Sequence, residues 1–364
     1  MNKKKFLFVI PSLVGGGSER VLVTIANNLC VENKIEILTL VNSDAFYSID
    51  KRVEIHSLEL NVNRRNTVKK YVSLFKGFFI SLFHLKEEIK KCNPDAVLSF
   101  SKETNVFVIV LKLLGSLKCK LVVSERANPY YRNAAFQLFE KLFYSFADLI
   151  ICQSVAASRF FGAKNSKKIE VIRNPLNENS VPSVFHEVRV KKIVAVGRLF
   201  PEKNHALLID AFCNLDPIFD DYILEIYGEG PLRKNLEQKI KSSKKQDKIF
   251  LMGEKRNVMH LIADAALFVL PSESEGFPNV LIEALASGLP VVSTNFAPNG
   301  VAGEIVDEKN GIVVPCNNVS AMVDAIENML TDKNIISYMK DERERIKKIY
   351  DEKIVTQEFY KALL

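Results

Sequence analysis

The sequence predicts two doubly wound α/β domains of similar size, joined by a short linker. Three observations point there. Short apolar, β-branched runs alternate with helix-length amphipathic segments along the whole chain. The strand-like runs are nearly free of polar residues, as in parallel sheets covered on both faces by helices. The rhythm breaks once, at Arg173-Asn-Pro-Leu-Asn-Glu-Asn-Ser-Val-Pro-Ser-Val-Phe-His-Glu, where two prolines and three asparagines mark a linker.

In the first half the expected strands are Phe6–Ile10, Lys34–Val41, Val53–Leu60, Ala96–Phe100, Lys120–Ser124, Leu149–Cys152 and Ile169–Ile172. Helical periodicity covers Ser18–Val31, Thr67–Lys91, Glu103–Leu114, Asn133–Phe146 and Ser154–Phe161. The second half gives strands at Ile193–Val196, Ile223–Tyr227, Ile249–Met252, Leu267–Leu270, Val291–Ser293 and Ile312–Val314. Its helices fall near His205–Asn214, Leu232–Lys241, Val258–Ala263, Asn279–Ser287 and Ser320–Leu330, with two more at Lys333–Lys348 and Asp351–Leu363. The expected division is 1–174, a linker at 175–190, and 191–348, followed by a last helix at 349–364. In such sheets ligands bind beyond the carboxyl ends of the strands.

The composition of the 364 residues is that of an ordinary globular protein and excludes disordered, collagen-like and disulfide-framework classes. Six cysteines lie far apart with no CxxC, as buried thiols of a reducing compartment do. Met1-Asn-Lys-Lys-Lys-Phe-Leu-Phe-Val-Ile has the basic head of a signal peptide, but Pro11, three glycines, Glu19 and Arg20 cut the apolar run short, so a first strand is expected. No apolar run reaches the ~18 residues of a membrane span.

The strongest constellation is Ser272-Glu-Ser-Glu275-Gly276-Phe277-Pro278-Asn279-Val280-Leu-Ile-Glu283, between a buried strand and a helix. Glu275 belongs to the loop, Asn279 to the helix N-cap, and Glu283 to the helix one turn in. Free N–H groups and the dipole at a helix start favour an anion. Two glutamates eight apart can therefore bracket a nucleotide diphosphate. Arg198 and Lys203, five apart across a strand end and Pro201, place a guanidinium and an ammonium where a diphosphate leaving group needs charge. Taken singly, each of these residues reads equally as a loop or surface charge; together they read as a site.

These residues resemble the retaining family 4 glycosyltransferases of the GT-B fold. Glu275 and Glu283 stand at that family's E-x7-E motif, and Val196-Gly197-Arg198-Leu199 with Glu202-Lys203-Asn204 is similar to its donor-phosphate segment. Tyr227-Gly-Glu-Gly-Pro-Leu232, Leu251-Met252-Gly253, Gly15-Gly16-Gly17-Ser-Glu-Arg20 and Ile172-Arg-Asn174-Pro175 resemble its further turns and its crossover. The resemblance implies two Rossmann-like domains facing across a cleft, the first acceptor-side and the second donor-side, with the helix at 349–364 packing back on the first. It gives Glu275, Arg198 and Lys203 catalytic roles and Glu283 the donor ribose. Gly16, Gly17, Met252, Gly276, Phe277, Asn279 and Val280 complete the donor set. The stretch where many relatives carry a histidine reads Ser124-Glu125-Arg126, so Glu125 and Arg126 are the acceptor-side candidates.

The implied reaction is transfer, with retention, from a nucleotide diphosphate sugar to a saccharide acceptor. The Glu275–Glu283 variant resembles bacterial transferases that build surface polysaccharide or lipid-linked oligosaccharide from UDP-hexosamines or UDP-hexoses. No cofactor and no metal are expected: there is no Asp-x-Asp, and His56, His84, His186, His205 and His260 form no ligand spacing and read as surface or satisfied core. The glycine loop fails G-x-G-x-x-G, because Arg20 stands at the third position, and no G-x4-G-K-[ST] occurs. A nucleotide-sugar epimerase and a non-catalytic binding module remain the alternatives.

Residues 1–190 carry 28 Lys/Arg against 17 Asp/Glu, and the remainder 22 against 26. Arg64–Lys91 alone holds eight basic and two acidic residues. As a helix it places Tyr71, Phe75, Phe78, Leu82, Leu85 and Ile89 on one face, flanked by Lys69, Lys76 and Lys86. That face either packs on the sheet or dips into an anionic membrane surface. No nucleic-acid motif is present. The expected place is the cytoplasm, with peripheral attachment to the inner face of its membrane as the corollary of the second reading.

Overall fold

The alternation in the sequence folds into two separate parallel sheets. The computed structural model describes residues 3–58, 69–130, 133–296 and 300–364, with the side chains of 69–79, 163, 164 and 166 outside the description. Contacts divide the chain into Met1–Pro175 with Glu352–Leu364, and Leu176–Asp351.

The first unit runs β1 (Lys5–Ile10), α1 (Gly17–Leu29), β2 (Lys34–Thr39), β3 (Glu54–Ser57), α2 (Lys69–Cys92), β4 (Ala96–Phe100), α3 (Lys102–Leu113), β5 (Lys120–Glu125), α4 (Ala134–Tyr144), β6 (Leu149–Cys152), α5 (Val155–Phe161) and β7 (Ile169–Val171). Its seven strands lie in the order β3-β2-β1-β4-β5-β6-β7, all parallel. The period of two in β1 sends Phe6, Phe8 and Ile10 into one core and Leu7 and Val9 into the other. Two buried faces explain why the strands read as unbroken apolar runs, each fully buried side chain being worth roughly 1.5–3 kcal/mol. α1 and α12 (Glu352–Leu363) cover the first face, where Phe359 stacks on Phe100 at 6.3 Å. The helices α2, α3 and α5 cover the other.

The second unit runs β8 (Val190–Val196), α6 (His205–Cys213), β9 (Ile223–Tyr227), α7 (Arg233–Lys241), β10 (Ile249–Gly253), α8 (Val258–Ile262), β11 (Ala265–Leu270), α9 (Asn279–Ala286), β12 (Val291–Thr294), β13 (Gly311–Val314), α10 (Val319–Thr331) and α11 (Ile335–Ile349). Its order, β10-β9-β8-β11-β12-β13, repeats the inner pattern of the first.

Two local readings change. β8 begins at Val190, inside the stretch read as linker, because Lys191 and Lys192 break the apolar run while Lys192 pairs with Glu225 at 3.4 Å and Asp264 at 3.6 Å. Pro278, not Asn279, is the N-cap of α9; Asn279 is its first helical residue, since the Phe277-Pro278 turn already sets the entry. In α2, Leu82, Leu85 and Ile89 are buried in the core, whereas Lys69, Tyr71, Phe75, Lys76 and Phe78 have side chains outside the description. All six cysteines are free. Among the described residues, no helix is long and apolar enough to cross a membrane.

Candidate active site

The order of the second sheet reverses between β8 and β11, and the carboxyl ends of these neighbours carry the cluster read from the sequence. Beyond β8 come Gly197 and Arg198, then a turn of 3-10 helix at Pro201–Lys203. Beyond β11 comes the loop that holds Ser272 and Glu275. Backbone and side chain tie the two loops: Glu273 N donates to Glu202 O at 2.9 Å, and Asn204 Nδ2 donates to Glu273 Oε1 at 3.2 Å.

At the centre Lys203 Nζ donates to Glu275 Oε1 at 2.6 Å, with only 17% and 10% of the two side chains exposed. Ser272 Oγ donates to the same oxygen at 2.8 Å. The sequence reading placed these residues in one site but did not pair them; the fold makes them a nearly dry ion pair. Arg198 stands apart, with 68% of its side chain exposed, its guanidinium 4.7 Å from the Phe200 ring and 3.5 Å from Glu202 Oε1. Cation and carboxylate thus meet beside the start of α9, where Glu283 is buried one turn into the helix and Phe277 packs near Tyr350 at 6.3 Å. Gly276, Asn279 and Val280, in the turn and first helical residues, are half-buried, as is Met252 at the end of β10.

Glycines let the turns interlock. Gly228 has φ +145°, and a Cβ there would stand 2.0 Å from Gly197 O. Gly230 approaches Leu199 O in the same way, at 2.5 Å. Gly197 N donates to Tyr227 O at 2.9 Å, Leu199 N to Glu229 O at 2.9 Å, and Gly228 N to Gly253 O at 2.9 Å. The ladder therefore continues past the strands, and the ends of β8, β9 and β10 form one hydrogen-bonded platform.

The remaining candidates lie in the first unit. Gly16 caps α1 and Gly17 is its first residue, following Gly15 at φ +104°. Glu125 and Arg126, at the end of β5, are buried. Glu125 accepts from Ala127 N at 3.0 Å and from Tyr144 Oη at 2.6 Å. Arg126 donates to Asn174 Oδ1 at 2.6 Å and lies 4.9 Å from the Phe100 ring; burial lowers its pKa to about 9. Both residues therefore brace the end of β5 against Asn174 and α4.

Sequence reasoning gave three supporting side chains no role of their own. His205, read as surface or satisfied core, lies in the core behind the turn after β8, with Nε2 at 3.3 Å from Gly197 O. The carbonyl only accepts, so Nε2 carries the hydrogen, and Nδ1 has no partner. Burial lowers its pKa to about 4. Asn204 at φ +45° caps α6 and also reaches Asn317 Oδ1 at 2.7 Å. Ser272 orients Glu275. The signal for Asn204 and Ser272 was their place in loops already singled out. Among the described residues Glu36, Glu54 and His56 are spaced to hold a metal ion, but Lys5 and Lys34 pair with these carboxylates at 2.8–3.3 Å, at the amino ends of the first sheet's strands.

Residues 178–350 match the family described as Glycosyl transferases group 1. The chain is similar to a Campylobacter jejuni GalNAc-alpha-(1->4)-GalNAc-alpha-(1->3)-diNAcBac-PP-undecaprenol alpha-1,4-N-acetyl-D-galactosaminyltransferase, 31% identical over 335 residues, covering 91% of this chain and 90% of that protein. It is 30% identical over 374 residues to that organism's N-acetylgalactosamine-N,N'-diacetylbacillosaminyl-diphospho-undecaprenol 4-alpha-N-acetylgalactosaminyltransferase, covering 99% and 100%. Among solved structures, sucrose-phosphate synthase from Thermosynechococcus elongatus superposes with a TM-score of 0.82 at 17% identity, covering 99% of this chain and 98% of that one.

Proposed function

The chain belongs to the group 1 glycosyl transferases, and from that premise we propose that it transfers a hexosamine or hexose, with retention, from a UDP-sugar to a saccharide carried on a lipid diphosphate. The observation that carries the donor side is the Lys203–Glu275 pair at the strand-order reversal, with Arg198 exposed beside it. The acceptor class rests on the names of the two Campylobacter relatives, both of which are transferases for diphosphate-linked undecaprenol saccharides.

In the proposed reaction the bond from the anomeric carbon to the β-phosphate oxygen breaks, and an acceptor hydroxyl oxygen bonds to that carbon on the same face. The acceptor proton passes to the departing phosphate oxygen, so no separate general base is required. Arg198 and Lys203 share the charge that grows on that phosphate. Lys203 turns from Glu275 to the diphosphate when donor binds, and the released carboxylate accepts from the sugar hydroxyls. Glu283 takes the ribose hydroxyls, and Met252 lies on the nucleobase side. Because two side-chain cations supply the counter-charge, turnover is expected to persist in chelator; loss of activity that Mg²⁺ or Mn²⁺ restores overturns this.

Thermal unfolding in the presence of UDP-sugars and GDP-sugars tests the assignment. A ligand at 100 times its dissociation constant adds ~2.7 kcal/mol, a readily measured rise in melting temperature. Protection by UDP-hexosamine or UDP-hexose that persists in Arg198→Ala while turnover of the same donor falls is the expected result. Protection by GDP-sugars alone, or donor turnover that ignores acceptor, overturns it.

A further inference from the structure

The helix α4 is amphipathic the wrong way round. Its buried positions are Glu140 and Tyr144, whereas Phe136, Leu138, Phe139 and Leu142 are 47–60% exposed, and Phe146 just beyond it is 48% exposed. Single exposed apolar side chains are ordinary, but four on one helix with a fifth just beyond its end, all within eleven residues, form a patch. Cations frame it. Lys102 Nζ lies 5.2 Å over the Phe136 ring at the amino end, while the half-buried Lys141 turns back over the core ring of Phe160 at 4.6 Å. At the carboxyl end Lys168 Nζ donates to Ser145 O at 2.9 Å and Ala147 O at 3.1 Å. The helix's own carboxylate, Glu140, faces inward; Glu103 on α3 is the exposed acid nearest in sequence to Lys102.

We propose that the outward face of α4, Phe136 to Phe146, is where this protein docks on an anionic phospholipid bilayer. Aromatic and leucine side chains along an in-plane helix with lysines at its margins match the apolar boundary and negative headgroups of such a surface. The choice of a bilayer over another partner also rests on the proposed lipid-linked acceptor. The part of α2 whose side chains are described exposes Ile80 and Phe83 and buries Leu82, Leu85 and Ile89.

Hydrogen exchange of the full chain, with and without vesicles containing about one third phosphatidylglycerol, reads the surface directly. Added amide protection across 134–146, absent with phosphatidylcholine vesicles, is expected. Protection confined to 80–92, or none, overturns the proposal. Flotation of a Phe139→Gln/Leu142→Gln variant should recover at least about tenfold less protein on the anionic vesicles, with its melting temperature unchanged because both side chains are exposed. Equal recovery overturns the proposal, as does a dimer in solution that the same substitutions dissociate. Turnover of a water-soluble, short-chain acceptor should be unaffected in this variant. No such turnover in the parent chain would instead count against the transferase assignment, which keeps the two failures apart.

Discussion

Arg198 leaves 68% of its side chain in solvent, against Glu202 and the face of Phe200, so its loss costs the fold little. Arg198→Ala should lower kcat by roughly 100-fold or more while the melting temperature holds, because its charge is needed chiefly as the leaving phosphate departs. Removing Lys203 is a different experiment. It strands Glu275 in a nearly dry site, and breaking a buried pair costs about 3–5 kcal/mol, so lost activity there reports folding as well as chemistry. His205 makes a prediction in pH. Its folded pKa of about 4 lies below the usual imidazole value, so the folded state keeps it neutral. Its contribution is complete above the unfolded pKa of ~6.5 and is lost as the pH falls towards 4. Between pH 7 and 4.5 the parent should lose roughly 2–3 kcal/mol more stability than His205→Gln, as seen in unfolding curves at each pH. The loops that hold Glu275, Arg198 and Lys203 were legible because charged residues, glycines and proline there follow buried strands. His205 was not, since a lone histidine carries no mark in sequence of which way its helix turns.

The same blindness holds for whole elements. Strands and helices were readable to within one to three residues, because two covered sheet faces demand uninterrupted apolar runs and the helices between them keep a 3.6-residue period. Period alone does not say what a face meets. The pattern of α4 announces a helix, yet its apolar stripe points outward while Tyr144 reaches in to Glu125 and accepts from Asn105 Nδ2 at 2.9 Å. Tyr144→Phe should therefore cost about 1–3 kcal/mol, by leaving buried Glu125 and Asn105 without that partner, and equilibrium unfolding measures it. The turn after β9 is stricter still. Gly228→Ala meets Gly197 O at 2.0 Å and must hold φ +145°, so donor binding and stability should fall together in titration and melting experiments.

At the scale of the molecule, charge follows the structural units more sharply than the linker suggested: the first unit carries 29 basic and 17 acidic residues, the second 21 and 26. The first unit is also closed by the chain's last segment, since Val355, Phe359, Ala362 and Leu363 of α12 sit in its core. At roughly 1.5–3 kcal/mol for each large side chain, a chain ending at Asp351 forfeits much of that unit's 5–15 kcal/mol. Calorimetry of the shortened chain should show the first unit melting early, while the second still melts near its parent temperature and still gains from the donor nucleotide. Such a dependence of the beginning on the end was legible only as a resemblance, because no local pattern in α12 names its neighbours. Where the turns after β8 and β9 meet at Gly197 and Gly228, with Gly230 against Leu199, they behave as a single casting. Neither can be lengthened or given a larger residue without displacing the other. On the proposed function, selectivity for the sugar then falls to side chains of the loop between β11 and α9 rather than to the shape of the platform.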